Sequence, residues 1–170
     1  MSITRIGSAK HATTPTVPTH AIGDLILGWA FRDGSTTPPS LPSGYRNIAT
    51  VAGTSCSARL FCKEATATND TMGAAPNATE TQCVVYRSST GFCVPGYVAT
   101  NAGTTNTLNY AALAAMADAS GRSWVCGGVG HRSIDQGIES PPTGMSLIDN
   151  LLDATAESAL HDTNGAVSSW

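Results

Sequence analysis

The clearest hydrophobic pattern in the chain lies in residues 21–34, AIGDLILGWAFRDG. It predicts a strand whose two faces are both apolar. One face carries Leu25, Leu27, Trp29 and Phe31, and the other carries Ile26, Gly28 and Ala30. Apolar residues on both faces are typical of a central strand that is covered on each side. The small residues of the second face indicate that a neighbour packs closely against it.

Further segments are rich in β-branched and aromatic residues and end in Gly, Pro, Asn or Asp turns. The segment at 55–63 alternates most clearly, and its Cys56–Cys62 face is expected to be buried. Residues 64–80 are polar and predict a long loop or weak strands. Including the central strand, the predicted strands are Thr4–Lys10 at a sheet edge, Asp24–Arg32, Tyr45–Val51, Ser55–Lys63, Thr81–Arg87 and Ser123–Arg132. The last contains three glycines, which weaken it or let a neighbour approach.

Two segments are ambiguous. Residues 110–119, YAALAAMADA, have a helix-forming composition and predict one short helix. Residues 145–161 fit an amphipathic helix by periodicity, but they also fit two strands, Met145–Asn150 and Glu157–Asp162. The pattern alone slightly favours the helix in this second segment.

Strands elsewhere recur at even spacing with Gly/Pro turns between them, which favours an all-β antiparallel sandwich or barrel. The 170 residues suit one domain. We expect residues 1–20 to form an extended N-terminal arm with an edge strand, and residues 21–170 to form a single β-sandwich. The predicted core consists of Leu25, Leu27, Trp29, Phe31, Leu60, Val85, Trp124 and Val125.

Charged residues make up only 12% of the chain, and its formal net charge is −3. The absence of a basic cluster argues against a nucleic-acid partner. No apolar run approaches the ~20 residues of a membrane span, and the N-terminus lacks the apolar core of a secretion signal. We therefore expect synthesis in the cytoplasm, with release, if any, by another route such as lysis. A Ser/Thr-rich surface of low charge also suits a protein that packs against neighbours.

The five cysteines include no CxxC pair, and no His lies at zinc-finger spacing from them. They are either buried reduced thiols or partners in disulfides formed in an oxidising exterior. Cys56 and Cys62 lie ~20 Å apart on one strand and cannot pair with each other. Cys83 and Cys126 also lie on predicted strands, whereas Cys93 lies in a loop and is the candidate for an inter-chain disulfide.

The sequence predicts no catalytic residue, no metal site and no cofactor. His131 with Asp135 and His161 with Asp162 are the nearest His–Asp pairs, but no GxSxG elbow accompanies them. Loop oxygens at Asp33–Gly34 or Asn69–Asp70 form a minor candidate for calcium, without EF-hand spacing.

The order of six segments resembles that of a group of small phage and prophage proteins: GDLILGWAFRDGSTTPPSLPSGYRNI, SARLFCKEAT, CVVYR, SWVCGGVGHRS, PPTGMSLI and HDTNGAVSSW. These are β-sandwich modules of jelly-roll or immunoglobulin-like type, found in virion structural proteins and tail fibres. The resemblance covers nearly the whole chain after about residue 20 and implies two strands rather than a helix at 145–161. Such modules usually continue with one more strand. Either that strand is missing here, leaving an open edge, or the chain continues past Trp170.

The resemblance and the composition together favour a non-enzymatic virion structural protein on the particle exterior. The expected role is capsid decoration, which cements subunits through surface contacts and disulfides. Expected partners are copies of itself, as a homo-oligomer, and other virion proteins, above all the major capsid protein. Trp170 is a candidate subunit contact. The main alternative is a tail-fibre or tail-tip module that recognises bacterial surface glycan. A hydrolase on the same sandwich is a third, weaker hypothesis.

Overall fold

Eight strands form two antiparallel sheets in the computed structural model, which describes residues 3–92, 100, 102–103, 110–111, 123–134, 137–165 and 167. The strands are β1 Ile3–His11, β2 Leu25–Asp33, β3 Arg46–Ala52, β4 Cys56–Glu64, β5 Glu80–Ser88, β6 Cys126–His131, β7 Ser146–Leu152 and β8 Glu157–Asp162. The larger sheet has the order β1-β5-β2-β4-β3, and the smaller has the order β6-β8-β7. The predicted all-β antiparallel sandwich is therefore confirmed. β1, which we predicted as the edge strand of the N-terminal arm, pairs with β5 and forms one edge of the larger sheet.

β2 is the middle strand of the larger sheet, paired with β4 on one side and β5 on the other. Its Leu25–Phe31 face packs into the core between the sheets, and Ile26 and Ala30 pack into a second core on the outer face. The prediction of a central strand covered on both faces is thus confirmed. The close neighbour of the small face is Phe61. Its ring lies over Gly28, where an added Cβ would come within 2.2 Å.

Among the described residues, no second sheet lies above the outer core. Loop residues cover it instead, including Tyr45, Met72 and Ala75, with Val17 from the segment that follows β1. The predicted loop at 64–80 therefore contributes buried apolar side chains. Backbone bonds join these covering segments, for example from Ala75 N to Thr13 O at 3.2 Å.

The smaller sheet approaches the larger one through glycines of β6. An added Cβ on Gly128 would lie 2.3 Å from the Trp29 ring, and one on Gly130 would lie 2.1 Å from the Phe31 ring. Such distances are far below van der Waals contact, so only glycine fits at these points. The sequence left two explanations for the glycines of this strand: they weaken it, or they let a neighbour approach. The structure shows the close approach of a neighbour.

The segment at 145–161 forms β7 and β8, joined by a tight turn. Asp153 Oδ1 accepts bonds from Thr155 N at 2.6 Å and Ala156 N at 2.8 Å, and Asp153 N donates to Ala156 O at 3.1 Å. Helical periodicity was therefore misleading, because this turn interrupts it and sheet pairing decides the conformation. The helix predicted at 110–119 falls largely outside the described residues; Tyr110 and Ala111 have no regular structure.

Six of the eight predicted core residues are buried: Leu25, Leu27, Trp29, Phe31, Val85 and Val125. Leu60 and Trp124 are half-buried and pack against the core. The expected burial of the Cys56–Cys62 face of β4 holds for Ala58 and Cys62, whereas Cys56 and Leu60 are half-buried. On the opposite face, Phe61 is completely buried. This side of the larger sheet extends past the smaller sheet.

Candidate functional site

β3 forms one edge of the larger sheet. It pairs with β4, and no other strand in the described residues pairs with it. The β3–β4 hairpin closes with a bond from Gly53 N to Cys56 O at 2.9 Å. From this hydrogen-bonded pair onward, non-hydrogen-bonded and hydrogen-bonded residue pairs alternate along the two antiparallel strands. The N–H and C=O groups of Thr50 and Ala52 therefore point away from β4, toward the open side.

A half-buried apolar strip accompanies this edge on the inner face of the sheet. It is formed by Ile48, Val51, Cys56 and Leu60, which pack against the margin of the inner core. On one side of the interface between the sheets, β1 contacts β7. On the other side, β2 and β4 contact β6. The strip lies past the main overlap of the two sheets, so it is only partly covered.

At the opposite edge of the larger sheet, side chains of β1 contact β7 of the smaller sheet. On β1, Lys10 Nζ donates to Asn150 O of β7 at 2.6 Å and forms an ion pair with Asp149 at 3.0 Å. Ser8 Oγ also donates to Asp149 Oδ2 at 3.2 Å. A lysine on an edge strand disfavours pairing with another chain. The two edges therefore differ in their capacity for strand pairing.

A polar network joins the two sheets beside the apolar core. Tyr86 Oη donates to Asp162 Oδ2 at 2.8 Å, and Cys126 Sγ donates to Tyr86 Oη at 3.2 Å. Arg5 completes the network through an ion pair with Asp162 at 3.1 Å. Burial raises the pKa of the Tyr86 hydroxyl well above its usual value, so it remains a donor. The network ties β1, β5, β6 and β8 together and has a structural role.

The neighbouring His161 lies on the opposite face of β8 from Asp162, because side chains alternate along a strand. Its Nδ1 is 2.7 Å from the hydroxyl of Tyr110. The two residues therefore do not form a catalytic His–Asp pair. His131 lies at the end of β6, where its Nδ1 accepts a bond from Ser133 N at 3.1 Å; its predicted neighbour Asp135 is outside the described residues.

Two further buried polar groups lie between the sheets. Gln82 Nε2 donates to the backbone oxygen and to the hydroxyl of Ser158, at 2.8 and 2.9 Å. Burial raises the pKa of Glu80 to about 7, and the nearby carboxylates of Asp153 and Glu157 add to the shift. Sequence reasoning missed Glu80, because nothing in the local pattern distinguishes a buried carboxyl from an exposed one.

The two loop positions considered for calcium have other partners. Asp33 Oδ1 accepts from Arg132 Nε at 2.6 Å and from Gly34 N at 2.7 Å. Asp70 Oδ1 accepts from Lys63 Nζ at 2.5 Å, and this bond holds its pKa far below the usual range. Over the described residues, no group of three or more His, Cys, Asp or Glu side chains could hold a metal ion.

A cleft of about 390 Å³ separates residues 14–20 from residues 68–72. Threonine, asparagine and proline side chains form much of its wall. Hydrogen bonds of His20 link its two sides. Asp70 N donates to His20 Nε2 at 3.1 Å, so the imidazole carries its proton on Nδ1 and donates it to Pro18 O at 2.7 Å.

The four described cysteines, Cys56, Cys62, Cys83 and Cys126, are free thiols. Cys62 and Cys83 are buried, and the other two are half-buried. Cys93 and Trp170, the candidates for an inter-chain disulfide and a subunit contact, lie outside the described residues. Sequence reasoning placed a strand at 45–51 but missed that it forms an open edge, since strand order depends on pairing between distant segments.

No protein-family model, curated protein or solved structure matches this chain. In the part of the chain that the structure describes, no helix is both long enough and apolar enough to cross a membrane.

Proposed function

We propose that this protein is a non-enzymatic structural component of a bacteriophage virion, and that it acts as a capsid decoration protein on the particle exterior. Its role is to bind neighbouring subunits, copies of itself and the major capsid protein among them. The sequence resemblance to small phage β-sandwich proteins supports this proposal. So does a surface of few charges, which is inexpensive to desolvate in repeated contacts.

The observation that carries the proposal is the β3 edge with its apolar strip, an edge that no strand in the described part of the chain pairs with. Unpaired strand edges template pairing with another chain, and proteins normally protect them. Here the β1 edge carries Lys10, which bonds to β7, whereas Thr50 and Ala52 of β3 present outward backbone groups. Strand addition provides backbone hydrogen bonds, and the adjoining strip provides apolar burial. Modest contacts of this kind become strong when they are repeated around a symmetric shell.

Quantitative mass spectrometry of purified phage particles tests the proposal. We expect a copy number comparable to that of the major capsid protein. Particles that lack the protein should lose integrity at lower temperature than wild-type particles, and adding back purified protein should restore it. Absence from the particle, or only a handful of copies, would refute capsid decoration.

The cleft between residues 14–20 and 68–72 supports a second candidate function. A module that recognises bacterial surface glycan needs a concave site with hydroxyl and amide groups. This cleft lies within the size range of ligand sites and is lined by Thr16, Thr68 and Asn69 among others. Glycan recognition at a tail fibre would then place the protein on the tail instead of the capsid.

Binding of purified protein to host surface polysaccharide tests this alternative. Asn69→Ala should weaken binding if the cleft holds the glycan, whereas Thr36→Ala, at an exposed loop position between β2 and β3, is the control outside the cleft. Absence of binding by the wild type, together with high copy number in the particle, would refute the alternative and favour decoration.

A further inference from the structure

We infer that the β3 edge pairs with the β3 edge of a second copy of this chain, antiparallel across a two-fold axis at Val51, so that two larger sheets become one continuous sheet. The inference deepens the proposed function and rests on it, since it names the first partner of the same edge. The geometry of β3 specifies both the register and the partner.

The register follows from the backbone groups that are available. The bulge between Asn47 and Ala49 ends the regular part of β3 on one side, and the hairpin after Ala52 ends it on the other. The outward groups lie at Thr50 and Ala52, on either side of Val51. With the axis at Val51, Thr50 of each copy exchanges both backbone bonds with Ala52 of the other. All four outward donors and acceptors are then satisfied.

The side chains also match in this register. Val51 faces its own copy in a non-hydrogen-bonded pair, the type in which side chains approach most closely. Its side chain belongs to the half-buried strip with Ile48 and Leu60, so two strips would join across the axis on one face. β-Branched apolar pairs of this kind stabilise neighbouring strands.

No like charges meet at the axis. Arg46 is the only charged residue of β3. It lies five positions from Val51, so the two Arg46 backbones would be ~33 Å apart along the strands. The nearest charge on β4, Arg59, is engaged within its own chain, where it donates to Pro39 O and Asn47 Oδ1, both at 2.6 Å. The edge is thus compatible with its own copy without any charge compensation.

Sedimentation and light scattering on the full chain test the inference with a matched pair of variants. Thr50→Pro removes an outward N–H from each copy and leaves the bonds to β4 intact, because proline is tolerated where the N–H faces solvent. We expect it to raise the dimer dissociation constant by at least about tenfold. Thr50→Val keeps the donor and a β-branched side chain, and should dimerise like the wild type. Circular dichroism and thermal melting verify that both variants are folded.

A cysteine scan tests the register separately. Val51→Cys should form a 51–51 disulfide on mild oxidation, since the Cα atoms of a non-hydrogen-bonded pair lie close enough for one. Ala52→Cys should not link to itself, because residue 52 faces residue 50 of the other copy. Peptide mapping distinguishes these links from those of the native cysteines.

The outcomes separate this inference from the proposed function. A monomeric wild type, a dimer that resists Thr50→Pro, or absence of the 51–51 link would each overturn the pairing. If the wild type is monomeric but Thr50→Pro abolishes its incorporation into particles, the edge binds another virion protein. The proposed function would then stand, and the second copy would be the wrong partner. If the chain dimerises but is absent from particles, the proposed function is refuted and the strand pairing stands.

Discussion

The indole ring of Trp29 on β2 lies directly against the backbone of Gly128 on β6, where an added Cβ would come within 2.3 Å of Cδ2. This contact fixes the separation of the two sheets. A glycine costs some strand stability, and here the cost is offset by burial of a large aromatic side chain to 6% exposure.

Gly128→Ala should therefore destabilise the fold by about 1–3 kcal/mol, the usual cost of overpacking a core. Urea unfolding followed by tryptophan fluorescence measures the change. Gly103→Ala is the matched control, because a Cβ there would meet no heavy atom within 4 Å. Equal stability of the two variants would show that the sheets can separate without cost.

Glu80 makes stability depend on pH. Its pKa is raised from 4.5 to about 7, so the folded state retains a proton that the unfolded state loses at lower pH. Stability should fall as the pH rises from about 4.5 to about 7. Glu80→Gln removes this dependence and should be more stable than the wild type at pH 8 by up to ~3 kcal/mol, with little difference at pH 4.

Unfolding free energies measured across this pH range test the prediction. Glu64→Gln, at an exposed position at the end of β4, is the control for loss of one negative charge. A Glu80→Gln variant with the same pH slope as the wild type would contradict the buried-carboxyl interpretation.

The buried carboxylate of Asp24 accepts two bonds from Arg87, at 2.8 and 2.7 Å, and one from Ala21 N at 2.7 Å. The hydrogen bonds from Arg87 lower its pKa below 3.8. Asp24→Asn should cost about 1–3 kcal/mol at pH 7, since it breaks charge-assisted bonds to a buried group. The stabilisation is present above pH ~3.8 and is lost as the pH falls through the lowered pKa, so the variant and the wild type should converge in acid.

Thermal melting at pH 7 and in acid measures this difference. Asp33→Asn is the comparison, because Asp33 is more exposed and makes a single bond to Arg132. It should cost less, about 1 kcal/mol or under. A larger effect at Asp33 than at Asp24 would contradict the ranking by burial.

The thiols should differ in reactivity. Burial raises the pKa of Cys83 and Cys126 to about 12 and also raises that of Cys62, which leaves little thiolate at neutral pH. Cys56 is half-buried near the open edge. Iodoacetamide should therefore label Cys56 first among these four, and the other three only after unfolding.

Peptide mapping by mass spectrometry checks the order of labelling. Complete labelling in denaturant supplies the reference for each peptide. Reaction of Cys83 at the same rate as Cys56 in the folded protein would contradict the predicted protection.

The pattern of side chains by itself determined the positions of most strands and the two-faced character of β2. These are local properties, since alternation along five to nine residues fixes which side chains share a face. It also indicated the close approach at the β6 glycines, although not that Trp29 and Phe31 would occupy that space.

Only the tertiary structure decided the features that depend on pairing between distant segments. Residues 145–161 satisfy a helical period, and the turn at Asp153 and the pairing of β7 with β8 override it. The burial of Glu80 and the position of β3 at an edge likewise arise from strand order, in which β5 lies inside the larger sheet and β3 lies outermost. Strand order is set by contacts far apart in the chain, and no local pattern encodes it.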